Sequence, residues 1–555
     1  MSEKKWWQKT NVYQIYPRSF KDSTQNGIGD LKGILNKLDY LEELGIKTIW
    51  FSPFFVSPQQ DFGYDIENFR QIDPVYGTMK DFENLLNGIH KKGMKMILDM
   101  VLNHTSSKHP WFKESASSRD NPKRDWYIWE DGKKPNGKAP PNNWKSMVGG
   151  SAWKYYNNTD QWVYFHFLPF QPDLNYRNPE VKKEMFETMR FWLDKGADGF
   201  RLDILHAIYE DPDLRDNPFS WSLLPGDEST SSFFQEHKYD LNLPETKNFA
   251  LELREVINEY DPPRFLVGEV FGGIEDLKKY YGPENNGLNM VFLFEFTSTK
   301  FDAEGFRNTI ERIESYLPYP YTPTYVFSNH DRMRLISRLK EDVRKAKLLA
   351  TLQLSLRGVP FIYYGEEIGI PNVNIKLKNS KDPIGKKFSW LPFSQIKRLG
   401  FALSRDGCRS PMQWNNEKNA GFSEESTTWL PISQEFEERN VQNELKDPNS
   451  LLNVYKSLLE IRNTHISLQE GTLNLIDMEN LNYEILSYKR ESSEEEIYIF
   501  LNFKEAKHKF NFPDSDSQIE VIFSTHSELT YKNSIILPKI EIQPYEGLII
   551  KKKKN

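Results

Sequence analysis

A guanidinium and a carboxylate two residues apart close an apolar run at Gly199-Phe200-Arg201-Leu202-Asp203. In an extended strand both point to the same side, where each holds the other ionised. Taken alone the pair reads equally well as a structural ion pair. Three other apolar runs end in the same manner. Residues 95–101 lead through Asp99 to Asn103 and His104, residues 264–269 end on Glu269, and residues 324–327 lead to Asn329-His330-Asp331. If one sheet carries all four runs, Asp203, Glu269 and Asp331 converge at its edge. Crowded carboxylates push one another's pKa values apart, so that one keeps a proton to donate while another stays ionised and can attack. That is the equipment for cleaving a glycosidic bond. A metal centre is the competing use of such residues. His104 and His330 lack close ligand spacing, however, and Cys408 is the sole cysteine, which speaks against one.

These residues need elements that bring them together. Strand-like runs at 12–16, 48–51, 95–101, 199–203, 264–269, 288–294, 324–327 and 359–364 alternate with helical patterns such as 31–44, 79–92 and 181–195. Strands spaced by helices imply parallel βα units, and eight of them imply an α/β fold, a TIM (β/α)8 barrel with its chemistry on the loops after the strands. The alternation breaks in a stretch rich in Trp, Asn, Pro and Gly. The expected domains are therefore a barrel over residues 1–102 and 176–470, an inserted subdomain over 103–175, and a C-terminal antiparallel β-sandwich over 471–555, where the apolar period shifts towards two.

Composition narrows the partners. With 38% hydrophobic residues and 14% aromatics the chain can bury a large core, and its net charge of −7 comes without a long basic stripe. Nucleic acid is not expected, nor is a membrane, since no apolar run reaches the length of a span. A single cysteine suits a reducing compartment, which makes a cytoplasmic location the expectation. The expected partner is a small neutral molecule, and a monomer is assumed.

Several motifs carry a resemblance. Asp99-Met100-Val101-Leu102-Asn103-His104, Gly199-Phe200-Arg201-Leu202-Asp203, Val267-Gly268-Glu269-Val270 and Phe327-Ser328-Asn329-His330-Asp331 resemble, in order, the four signature regions of the α-amylase superfamily of glycoside hydrolases. Gln171-Pro172-Asp173-Leu174-Asn175 resembles the fifth region of its α-glucosidase and oligo-1,6-glucosidase branch. Asp61-Phe62-Gly63-Tyr64-Asp65-Ile66, Tyr364-Gly365-Glu366-Glu367-Ile368-Gly369 and Arg409-Ser410-Pro411-Met412-Gln413-Trp414 match as well, so the resemblance covers nearly the whole chain. It implies a retaining, exo-acting α-glucosidase of short isomalto- or malto-oligosaccharides or sucrose. Asp203 would be the nucleophile, kept ionised by Arg201, and Glu269 the acid and base. Asp331 would grip sugar hydroxyls, His104 and His330 would bond the same sugar, and Tyr64 would stack beneath it. Phe167 and Gln171 would line the rim. Asp65 with Arg405 would cap the non-reducing end. Asp173 and Asn175 are read as structural, holding the insert on the barrel.

The chain also departs from that branch. The loop that often binds calcium there reads Asp22, Thr24, Asn26, Ile28 and Asp30, a set with weaker oxygens and one charge fewer, which implies either a weakened structural Ca2+ site or an empty one. Ile204 follows the nucleophile where α-1,6-cleaving members tend to carry Val, and being β-branched it favours α-1,6 or sucrose-like substrates. The rival activities within the family are a trehalose-6-phosphate hydrolase and a sucrose isomerase or transglucosylase.

Overall fold

Each of the eight apolar runs folds as a strand, and all lie in one parallel sheet. The computed structural model describes residues 5–553 apart from 134–136, 224–225, 227, 391–403, 479–480, 515–517 and 527–538. The barrel strands are β1 (Val12–Ile15), β2 (Thr48–Phe51), β3 (Lys95–Met100), β4 (Gly199–Leu202), β5 (Phe265–Gly268), β6 (Met290–Val291), β7 (Thr324–Val326) and β8 (Val359–Tyr363). Their order across the sheet is β6-β5-β4-β3-β2-β1-β8-β7. Several end short of the apolar runs; β4 and β5 stop just before Asp203 and Glu269, which leave the ladder for the loops. Among the described residues no backbone ladder joins β6 to β7. Thr324 bridges them instead: its hydroxyl donates to the Val291 carbonyl at 3.0 Å and accepts from the Leu293 N–H at 3.0 Å.

Alternation along the strands sorts the core into two layers. Val12, Trp50, Ile97, Val267, Met290, Val326 and Phe361 pack together inside the barrel, closed below by Trp7. The residues between them, among them Tyr13, Ile49, Leu98, Phe200, Leu266 and Ile362, face the surrounding helices. Those helices have ordinary starts. Thr78 and Asp81 form a capping box on Met79–Lys91, and Asn178 caps Pro179–Asp194. The helical pattern at 31–44 is broken into Leu31–Leu35 and Leu38–Leu44, the first capped by Asp30.

The insert after β3 holds a three-stranded antiparallel sheet and a small core of Trp144, Ala152, Trp153 and Tyr164. Asp173 accepts from the His166 N–H at 2.8 Å and from Asn103 Nδ2 at 3.1 Å, and Asn103 Nδ2 also donates to the Ala207 carbonyl beyond β4 at 2.6 Å. Asn175 Nδ2 donates to the Asp125 carbonyl at 2.9 Å, within the insert. The C-terminal region forms a five-stranded antiparallel sheet with a separate pair, His508–Asn511 with Lys539–Ile542. Along its strand Glu496–Asn502, Ile497, Ile499 and Leu501 share the main core with the barrel helices, whereas Tyr498 and Phe500 belong to a second core on the other face. At this junction the buried Arg490 donates to the carbonyls of Ser355 (2.7 Å), Gly471 (3.1 Å) and Thr472 (3.2 Å).

Candidate active site

The inward-facing positions at the C-terminal ends of the first strands are polar rather than apolar: Gln14, Trp50 in part, Asp99 and Arg201. Arg201, 1% exposed, is their hub. Its Nη1 donates to Asp99 Oδ1 at 2.8 Å and to Asp203 Oδ1 at 2.6 Å, while Nη2 donates to Glu269 Oε2. Backbone bonds place the two carboxylates side by side, since the Glu269 N–H donates to Leu202 O at 2.9 Å and the Asp203 N–H to Met100 O at 3.1 Å. One residue later the chain turns sharply. Ile204 sits in the left-handed region at φ 34°, ψ 46°, a conformation that costs a β-branched residue about 1–3 kcal/mol and persists only where its surroundings enforce it.

Burial pushes the Glu269 carboxyl up, to about 8, with Arg201 pulling it down and Asp203 and Asp331 pushing it further up. A carboxyl so placed holds a proton at neutral pH and can donate it. Asp99 is raised to about 7, again chiefly by burial. Although the strand ends made it visible as a candidate, its part in the site was not foreseen. It accepts from Trp50 Nε1 at 3.2 Å and from the Tyr64 hydroxyl at 3.0 Å, which ties Arg201 to the aromatic floor.

From Tyr64 the network runs on. His330 Nε2 lies 2.7 Å from the Tyr64 hydroxyl and 3.0 Å from Asp331 Oδ2, while Gln14 Nε2 donates to His330 Nδ1 at 2.8 Å. That donation leaves Nε2 as the protonated nitrogen. Burial lowers the His330 pKa to about 4, so the ring is neutral. Asp331 is only partly buried, which by itself would raise its carboxyl. His330, Arg405 and Arg409 together hold it well below the usual range. Arg409 Nη2 donates to Asp331 Oδ1 at 2.8 Å, a contact that the motif around Arg409 did not signal.

Asp65 was expected to cap the non-reducing end together with Arg405, but Arg405 bonds other carboxylates. Arg405 Nη2 donates to Asp61 Oδ1 at 2.5 Å, and Nη1 to Asp331 Oδ1 at 3.3 Å. Asp65 instead accepts from Ser57 Oγ at 2.9 Å and from the N–H groups of Gln60 at 3.0 Å and Asp61 at 2.9 Å, as the brace of its own turn. The turn decides the matter. Phe62 at φ 50° and Gly63 at φ 112° are left-handed, and a Cβ on Gly63 would meet the Pro53 carbonyl oxygen at 2.7 Å. Gln171 is buried and donates through Nε2 to Asp61 Oδ2 at 3.1 Å, so it steadies Asp61. His104 is buried between the Tyr64 carbonyl (3.0 Å from Nε2) and Asn103 Oδ1 (2.9 Å from Nδ1). Phe167 packs half-buried with Met147, Ala207 and Phe271.

The loop of Asp22, Thr24, Asn26, Ile28 and Asp30 lies apart from these residues. Asp22 accepts from the N–H groups of Thr24 (2.9 Å), Gln25 (2.8 Å) and Gly27 (2.8 Å) and from Ser423 Oγ (2.6 Å). Asp30 accepts from the Ser23 N–H and hydroxyl and from Gly33 N, each at 2.7 Å, and Asn26 Oδ1 from Ile28 N at 2.8 Å. With two carboxylates turned to donors of the protein itself, this set does not fit Ca2+, which takes about six to eight oxygens. Among the described residues no cluster of three or more His, Cys, Asp or Glu suits a metal ion, and no helix is long and apolar enough to cross a membrane.

Comparison with known proteins bears on the chain as a whole. The family profile of the alpha amylase catalytic domain matches residues 14–471. The oligo-1,6-glucosidase of Parageobacillus thermoglucosidasius is 38% identical over 580 residues, covering 99% of each chain. Among solved structures, the alpha-glucosyl transfer enzyme XgtA is 32% identical with a TM-score of 0.88, covering 99% of this chain and 100% of its own. The trehalose-6-phosphate hydrolase of Bacillus licheniformis is 35% identical with a TM-score of 0.85 over the same shares.

Proposed function

The chain belongs to the α-amylase family, and from that premise we propose that it is an exo-acting α-glucosidase that hydrolyses terminal α-glucosidic bonds of short oligosaccharides with retention of configuration. The observation that carries the reading is the single guanidinium of Arg201 bonded to both Asp203 and Glu269. One guanidinium can bridge two carboxyls about 5–5.5 Å apart, the spacing of double displacement, more readily than the wider gap of inverting enzymes.

In this reading an oxygen of Asp203 attacks the anomeric carbon. The bond to the leaving sugar breaks, and its oxygen takes the proton of Glu269. Glu269 then removes a proton from water, which attacks the same carbon and releases Asp203. Asp331, ionised by its two arginines and His330, grips sugar hydroxyls as the ring flattens, a contact strongest in the transition state. Tyr64 stacks beneath the sugar and His104 bonds it. The Asp61–Arg405–Asp331 group closes the pocket beyond the non-reducing sugar, which supports exo action. Both Ile204 and the likeness to oligo-1,6-glucosidases favour α-1,6 linkages. The single buried cysteine supports a cytoplasmic location.

The test is a product-resolved panel of isomaltose, maltose, sucrose, trehalose and trehalose 6-phosphate, with wild type and Asp203→Asn. We expect glucose release from one or more neutral sugars, the first-formed anomer being α by NMR, and loss of about 10³-fold or more in kcat for the variant. A β anomer would refute retention. Turnover of trehalose 6-phosphate alone would replace the substrate reading.

A further inference from the structure

We infer that Asp382 is a positioning residue of the active site, which fixes the plane of Arg405 so that its remaining N–H groups face Asp61 and Asp331 at the closed end of the pocket. This rests on the α-glucosidase reading, in which Arg405 and Asp61 meet the non-reducing glucose. Asp382 lies in the excursion that follows β8, far from the signature motifs, and no sequence pattern marks it.

The geometry is specific. Asp382 grips Arg405 side-on: Oδ2 accepts from Nε at 3.1 Å and Oδ1 from Nη2 at 2.8 Å, while Oδ2 also accepts from the Arg405 backbone N–H at 2.7 Å. A guanidinium has five N–H donors in one rigid plane. Once Nε and one edge are taken by a fixed carboxylate, the plane cannot rotate, and what is left of the fork points at Asp61 Oδ1 (2.5 Å) and Asp331 Oδ1 (3.3 Å).

Asp382 is itself fixed. Its side chain caps the helix Pro383–Lys387 through the Ile384 N–H at 3.1 Å. Its own N–H donates to Asp406 Oδ1 at 3.1 Å, and Asp406 Oδ2 holds Ser380 Oγ and the Lys381 N–H, each at 2.7 Å. The two ends of the excursion are thus tied crosswise, Asp382 to Arg405 and Asp406 to residues 380–382. Charge points the same way. Burial raises the Asp61 carboxyl, whereas Asp382, although buried, is held low by Arg405. Of the two, Asp382 is the steadier anchor for the cation.

The experiment is a double-mutant cycle of Asp382→Asn and Arg405→Ala in the full chain, on p-nitrophenyl α-glucoside, with free glucose as competitive inhibitor. Asn keeps the size of the side chain and its capping oxygen but removes the charge. We expect Asp382→Asn to raise both KM and the inhibition constant of glucose by about tenfold, with a much smaller change in kcat, and the double variant to be about as impaired as Arg405→Ala alone. Neither constant depends on the fraction of enzyme folded, so a less stable variant still reports on the pocket. Asp382→Glu, which keeps charge and cap, is expected to recover most of the affinity for glucose. The inference is overturned if Asp382→Asn leaves both constants at wild-type values, or if the two single effects multiply in the double variant. An inactive wild type would fail the α-glucosidase reading itself, a result distinct from either.

Discussion

Arg201 does more than ionise one neighbour. Three carboxylates share its guanidinium, and the cost of burying a cation is offset only because Asp99, Asp203 and Glu269 all answer it. Within that group burial lifts both Asp99 and Glu269, Glu269 to the higher value. Its folded pKa of about 8 lies above the ordinary carboxyl range, so between the two the native protein binds a proton that the unfolded chain releases. Stability therefore falls as pH rises through that window. The same group sets an activity limb: kcat/KM should decline as pH passes about 8, and the residual activity of Glu269→Gln on an aryl glucoside should lack that limb. A Gln variant with an unchanged alkaline limb would assign the limb to another group. The carboxylates at strand ends were legible in the sequence because a polar residue closing an apolar run is conspicuous. The choice between Asp61 and Asp65 was not. Both flank the same glycine turn, and only the left-handed backbone at Phe62 and Gly63 determines which carboxylate meets Arg405. Asp382 gave no signal at all, since nothing in a sequence relates it to an arginine across a long excursion.

At the scale of elements, the loop between β1 and its helix is held by its own carboxylates. Asp22 gathers backbone N–H groups, and Asp30 serves as the helix cap of Leu31–Leu35. Each carboxylate has taken up the work of holding the chain. Chelation should accordingly leave both melting temperature and activity unchanged, and a rise in melting temperature on adding Ca2+ would show that the loop does bind it. The spacing of oxygens was readable from the sequence, but not that those oxygens would be engaged by N–H donors, since that depends on the turn the loop adopts. In the insert, Asp173 bonds Asn103 and the His166 N–H, and two tryptophans, Trp144 and Trp153, contribute to a small core.

For the molecule as a whole, strand count and order were legible because each barrel strand is an apolar run bracketed by helical periodicity. The relation of the C-terminal sheet to the barrel was not, because alternation marks two faces without saying what either will meet. Ile497, Ile499 and Leu501 prove to share the core of the barrel helices, with the buried Arg490 pinned to Ser355, Gly471 and Thr472. Chain ending at residue 470 should therefore expose that core and fail to give a cooperatively folded barrel, whereas the intact protein should melt in one transition. Recovery of an active, folded truncated chain would contradict this. The joint between β6 and β7 has its own consequence. Where backbone pairs with backbone, an amide is released only when a ladder opens; where a threonine hydroxyl stands in, one side-chain rotation parts the edges. Amide hydrogens of β6 and β7 should exchange with solvent ahead of those in β1 to β5, and the barrel would then come apart as a ribbon unrolls, from its two ends towards the strands that carry Asp99 and Arg201.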